Sequence, residues 1–195
     1  MSRGRLEAFS DGVIAILITI MVLDLKVPQG ERFDDLRPVV PVFLVYVLSF
    51  ANLAIYWNNH HHMLHTLQRV TGGVLWANLH LLFWLSLLPF ATGWMGENHF
   101  ASAPTALYAG VLLMAAIAYY ALERTIVASQ GSDSVLRRAV GNDWKGKGSL
   151  LLYLPSIPLA LVSPWIAQGI FVLVALLWLV PDRRIERILA EGAAA

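Results

Sequence analysis

The residues best equipped for chemistry in this chain sit where polar groups are most costly. Residues 9–25 read FSDGVIAILITIMVLDL: Ser10 and Asp11 open an apolar run, and Thr19 interrupts its middle. A carboxylate and two hydroxyls inside hydrocarbon need a partner or a task. Ser10 and Asp11 can anchor a buried hydrogen-bond network, or relay protons or ions. Thr19 can bond its own backbone, or supply the one polar step in a hydrophobic pore wall. A second cluster, NNHHHMLH at 58–65, sets His61 and His65 four apart, a spacing at which two imidazoles can share a metal. No carboxylate lies close in sequence to complete a ligand set. The cluster therefore reads first as a helix end in the headgroup region. A pH-sensing role, or help from His60 or His61 to an Asp11 network, comes next.

Other chemistry is thinly represented. The sequence has no HExxH, GxSxG, P-loop or dinucleotide fingerprint, and its GSDS and GKGS stretches lack the spacing of a phosphate cradle. With no cysteine, disulfides, thiolate metal sites and Cys nucleophiles are excluded. No enzymatic activity, cofactor or nucleic-acid partner is expected.

The elements that must position these residues are membrane helices. Of 195 residues, 57% are hydrophobic and only 14% charged, against roughly 25% charged in soluble domains. The expected fold is an all-α integral membrane protein, one domain over residues 1–195. Six apolar segments, at 6–27, 38–58, 70–94, 103–127, 148–162 and 164–180, approach the ~20 residues that span a bilayer. The last two are short and split by Ser163-Pro164, so they form two short helices or one tight hairpin. Pro155, Pro158 and Pro164 should kink or shorten this region.

Charge placement orients the chain. With the N-terminus inside, Arg3, Arg5, Arg69, Arg124, Arg137, Arg138, Lys145, Lys147, Arg183, Arg184 and Arg187 face the cytoplasm. Only Lys26, Arg32 and Arg37 then lie outside, in accord with the positive-inside rule. Trp57, Trp94, Trp165 and Trp178 fall near segment ends, as interfacial anchors do. The basic start lacks a small-residue cleavage site, so the first segment reads as a retained helix. The expected product is a multi-pass protein with both termini cytoplasmic.

At about 100° per residue, Ile16, Thr19, Ile20 and Leu23 fall on one stripe of the first helix. Ser10 and Asp11 straddle the opposite face. The stripe can pack on lipid or other helices, or it can wall a pore. Partners for Asp11 are sought in LWANLHLLFWLSLLPF, where Trp76 and His80 share one face and Asn78 lies off it. Arg5 could balance the charge, although the wheel sets it on the stripe side. Asp24, near the outer end, reads first as a plain membrane-end carboxylate and second as a concentrator of cations.

RLEAFSDGVIAILIT resembles the signature of the transmembrane protein 175 family of potassium channels, found in bacteria and in endosomal and lysosomal membranes. The pattern is an Arg, three residues, Phe-Ser-Asp and an aliphatic helix, here Arg5, Phe9, Ser10 and Asp11. Trp76 and His80 also look like that family's network positions. The resemblance implies a homotetramer of six-helix subunits in the bacterial cell membrane, its first helices lining a central pore. It implies a constriction of bulky aliphatic residues with a Thr layer favouring potassium over sodium, mapped here to Ile16, Thr19 and Leu23 with Ile20 flanking. Ser10 and Asp11 would face away from the pore and bind neighbouring helices. One motif, not two repeats, favours four chains. The sequence contains no TVGYG filter and no arginine sensor helix, so selectivity would come from side chains in a narrow constriction. The competing expectation is a proton- or metal-coupled transporter using Asp11, His80 and the His60–His65 cluster.

Overall fold

The first apolar run folds as α1 (Arg3–Ile20) and tightens into a 3₁₀ turn over Met21–Asp24. The computed structural model describes residues 1–131, 134–141 and 143–179. A 3₁₀ stretch (Phe33–Val39) leads into α2 (Val40–His65), followed by α3 (Gly72–Ser86), α4 (Leu88–Glu97) and α5 (Ser102–Gln130). The short α6 (Val135–Val140), α7 (Trp144–Val162) and α8 (Pro164–Leu179) complete the described chain. No strand occurs among the described residues.

Four helical stretches, Arg3–Asp24, Phe33–His65, Gly72–Glu97 and Ser102–Gln130, are long and apolar enough to cross a bilayer. They coincide with the first four predicted segments. The fifth and sixth are α7 and α8, which pack on each other as a helical hairpin. Its corner is Ser163, whose extended backbone (φ −152°, ψ 107°) breaks the helix before Pro164. The fifth segment is longer than the apolar pattern indicated. It begins at Trp144, where the Asp143 carboxylate accepts from the Gly146 amide (3.0 Å) and caps the helix. Pro155 and Pro158 stay inside a continuous α7. The third segment divides at Leu87, because Pro89 has no N–H to donate to the turn before it. Residues 180–195, with Arg183, Arg184 and Arg187, lie outside the described residues.

Helix α5 is the pillar of the bundle, touching α3, α4, α7 and α8. Its buried face alternates small residues (Ala109, Ala115, Ala118) with Tyr108, Leu112, Leu122 and Ile126. Small residues let helices approach closely where lipid supplies no hydrophobic drive. Helices α2 and α4 meet in the same way at Gly96, where an added Cβ would lie 2.9 Å from Val42 Cα. A buried hydroxyl chain ties this centre together: Thr92 donates to Ser49 (2.7 Å), and Ser49 pairs with the Tyr108 phenol (2.9 Å).

The bundle's two ends are separately fastened. At one, Arg3 donates to the His65 carbonyl (3.0 Å) and Gln130 to the Thr66 carbonyl (2.8 Å), joining the starts and finishes of α1, α2 and α5. At the other, Lys26 pairs with Glu97 across 2.7 Å.

Candidate pore helix and the network behind it

Helix α1 has two faces of opposite character. Leu6, Ser10, Ile14 and Leu17 are buried, and Met21 continues that row into the 3₁₀ turn. The stripe predicted from the wheel is turned out: Ile16 is 63% exposed, Ile20 46% and Leu23 77%, with Thr19 exposed between them. The Thr19 hydroxyl donates to its own backbone, to the Ala15 carbonyl at 3.0 Å and the Ile16 carbonyl at 3.1 Å. On a β-branched side chain within a helix, this bond satisfies the donor without a partner helix.

The back of α1 is locked by a buried chain. Ser10 Oγ donates to the Leu6 carbonyl (2.9 Å) and accepts from Asn78 Nδ2 (3.0 Å). Asn78 Oδ1 lies 2.7 Å from His60 Nε2. Since Asn78 gives its amide to Ser10, its oxygen accepts, and His60 carries its proton on Nε2. His60 Nδ1 is then a buried acceptor with no hydrogen-bond partner among the described residues. Ser10, His60 and Asn78 are all essentially inaccessible. The network therefore stitches α1, α2 and α3 at one level.

Asp11 accepts from Trp57 Nε1 at 2.9 Å. The expected donors do not fill that place within the subunit. His80 Nε2 accepts instead from Trp84 Nε1 (2.9 Å), and Trp76 is 76% exposed. The reason is the rotation of α3. Trp76 and His80 share one face, and α3 turns Asn78, from another face, toward α1. Arg5 is exposed inside α1, which starts at Arg3, and Phe9 is 51% exposed. The arginine that reaches across is Arg3, whose Nε also lies 3.7 Å from Glu7 Oε1.

Sequence reasoning missed Asn78, Trp57 and Arg3. The available signal was Asn78 itself, a lone amide in an otherwise apolar run that must find partners. Trp57 reads as an interfacial anchor from sequence, yet its indole N–H, set against an apolar surface, still seeks an acceptor.

The histidine cluster forms the last turns of α2. His61 and His65 rings meet edge to face with centroids 4.4 Å apart, and His61 stacks on Trp57 at 6.0 Å. Among the described residues, no three His, Asp or Glu side chains converge in a metal-holding group. At the other end of α1, Asp24 lies against Gly93 of α4, with Glu97 in the same groove. The hydrogen bond and charge of Glu97 raise the Lys26 ammonium above the usual lysine range.

Comparison with known proteins matches these parts together. The family model of the endosomal/lysosomal potassium channel TMEM175 covers residues 5–89, from the Arg5 motif through Trp57, His60 and Asn78. A potassium channel of Chryseobacterium sp. (strain P1-3) is 53% identical over 192 residues, 98% of this chain and 100% of its own length. The human endosomal/lysosomal proton channel TMEM175 is 35% identical over 103 residues, 47% of this chain and 20% of that protein. The crystal structure of a lysosomal potassium-selective channel TMEM175 homolog from Chamaesiphon minutus shares the fold. Its TM-score is 0.76 at 28% identity, over 92% of this chain and 97% of that one. With a buried motif network, an outward aliphatic stripe on the first helix and relatives matched along nearly its whole length, the chain belongs to the TMEM175 family.

Proposed function

We infer that this chain is one subunit of a potassium-permeable cation channel, and that four copies surround a pore lined by α1. The carrying observation is the two-faced α1. Its aliphatic stripe of Ile16, Thr19, Ile20 and Leu23 is left bare by the subunit, while Ser10 and Asp11 are fixed behind it. A rigid back is what a narrow constriction needs, because sub-ångström positions of aliphatic rings decide whether a pore is wetted. Ile16 and Leu23 form the apolar rings, and Thr19 the polar layer between them. The exposed face of Trp76 and His80 is the surface that meets the neighbouring subunit. The names of the bacterial relatives support potassium as the permeant ion. The basic ends of α1, α2, α5 and α7 support cytoplasmic termini in a bacterial cell membrane.

The coupled-transporter alternative needs Asp11 in a water-filled pathway. Here its carboxylate is engaged by Trp57 on the side away from the stripe.

The decisive experiment is a bi-ionic reversal potential across a planar bilayer, with purified protein and potassium opposite sodium. A current reversing toward the potassium potential is expected. A current absent from the bilayer, with pH- or metal-driven flux in liposomes, overturns the channel reading. A current following only a proton gradient overturns potassium as the permeant ion.

A further inference from the structure

The two rims of the bundle differ in charge. Around the link from α1 to α2 and the end of α4, Asp24, Glu31, Asp34, Asp35 and Glu97 outnumber Lys26, Arg32 and Arg37. At the opposite rim α5 ends, α7 begins and α8 ends side by side. Lys145 Nζ of α7 lies 5.7 Å from the Trp178 ring centroid of α8, and Glu123 of α5 interacts electrostatically with Arg124, Asp143 and Lys147. Helix α6 packs on α5 with Leu136 buried and leaves Arg137 and Arg138 exposed. Arg124 and Lys147 are exposed as well. Among the described residues, the acids on these helices and their caps are Glu123 and Asp143. Glu123 is buried, and Asp143 accepts the Gly146 amide at 3.0 Å. The exposed surface of this junction is therefore cationic.

The same junction stands at the head of an apolar ridge. Lys147, Leu151, Leu154, Pro158 and Leu161 of α7 are all exposed, and their spacing of three and four residues puts them on one helical face. Lys147 is about 6 Å along the axis from Leu151, and the ridge from Leu151 to Leu161 runs about 15 Å. Trp144, also exposed, lies one turn before Lys147. Tryptophan there marks the headgroup level of a bilayer, where a lysine can hold its stem along the apolar surface and its ammonium in the polar layer.

Cations above an apolar ridge complement one kind of molecule. A soluble anion uses the cations and leaves the ridge bare. A zwitterionic lipid uses the ridge but brings its own positive group to Arg124 and Lys147. An anionic phospholipid satisfies both, its phosphate at the cations and a chain on the leucines.

We propose that the junction of α5, α6 and α7 binds the phosphate of an anionic phospholipid, with an acyl chain lying along the outward ridge of α7. The site does not depend on ion conduction. The test uses the purified chain in nanodiscs of equal dioleoyl-phosphatidylglycerol and dioleoyl-phosphatidylcholine, followed by native mass spectrometry of the lipids it retains. Phosphatidylglycerol should be retained in roughly tenfold excess or more, and Arg124→Gln and Lys147→Gln should each cut that excess roughly fivefold, the effect of one cation beside a membrane. Arg124→Lys and Lys147→Arg keep the charge and should keep the excess; its loss in these too points to misfolding and overturns the assignment. Arg32→Gln and Arg37→Gln, on the acidic rim, should change nothing. Equal retention of the two lipids, or equal losses from variants on both rims, overturns the site. Brominated acyl chains, which quench tryptophan on contact, test the ridge. Dibromo-phosphatidylglycerol should quench the parent more than dibromo-phosphatidylcholine does, and Trp144→Phe should remove the difference. No extra quenching puts the ridge out of the lipid's reach and overturns the seat. Inorganic phosphate that displaces phosphatidylglycerol at equal concentration marks a free-phosphate site and overturns the lipid assignment.

Discussion

Ser10 holds its place between three helices because both sides of its hydroxyl are used, one on its own backbone and one on Asn78. Asn78 bridges to His60, so Asn78→Leu leaves the buried His60 Nε2–H without a partner and removes the bond that Ser10 accepts. It should cost about 1–3 kcal/mol, read as a lower unfolding temperature in detergent, and more than Ser10→Ala. Trp57→Phe keeps the ring against His61 and deletes only the N–H to Asp11; it should loosen α1 with a smaller loss. The wheel made the outward stripe and the buried Ser10 legible, because faces within one helix follow from its period. Asn78 was not legible as the partner. Periodicity gives the relative angles of Trp76, Asn78 and His80 but not the rotation of α3 against α1, which packing sets.

Elements obey the same division. Their existence was written in the apolar runs, and Ser163-Pro164 marked the α7–α8 corner. The Leu87 break rests on a single Pro89 within an unbroken apolar stretch, and the early start of α7 rests on an Asp143 cap beyond the apolar pattern. Close contact between α2 and α4 depends on Gly96. Gly96→Val must push against the Val42 backbone and should lower stability by roughly 1–3 kcal/mol, measured by thermal unfolding. The Lys26–Glu97 pair fastens the loop after α1 to the end of α4. Since the lysine's pKa is raised, its ammonium persists through neutral pH, and its share of the link is lost only as pH rises through that elevated value. The pair is exposed, so any stability difference between Lys26→Gln and the parent should vanish in 1 M salt, where screening acts within about 3 Å.

For the whole molecule, the missing object is the axis. One chain supplies a single pore-type stripe, and a closed ring needs copies related by rotation. Native mass spectrometry should find a particle four times the 21.6 kDa chain, plus bound lipid or detergent. The chain has no cysteine, so Leu23→Cys introduces one thiol and should crosslink neighbours if that ring converges. Leu23→Ala and Ile16→Ala should each raise single-channel conductance or relax selectivity; unchanged currents in both would remove them from the constriction.

The bond from Thr19 to its own helix has one more consequence. With its proton committed to the Ala15 and Ile16 carbonyls, the hydroxyl turns only lone pairs outward. A ring of such oxygens can replace part of a cation's water shell but has no hydrogen to offer chloride. The proposed layer would thus sort ions by the sign of their charge before it sorts them by radius.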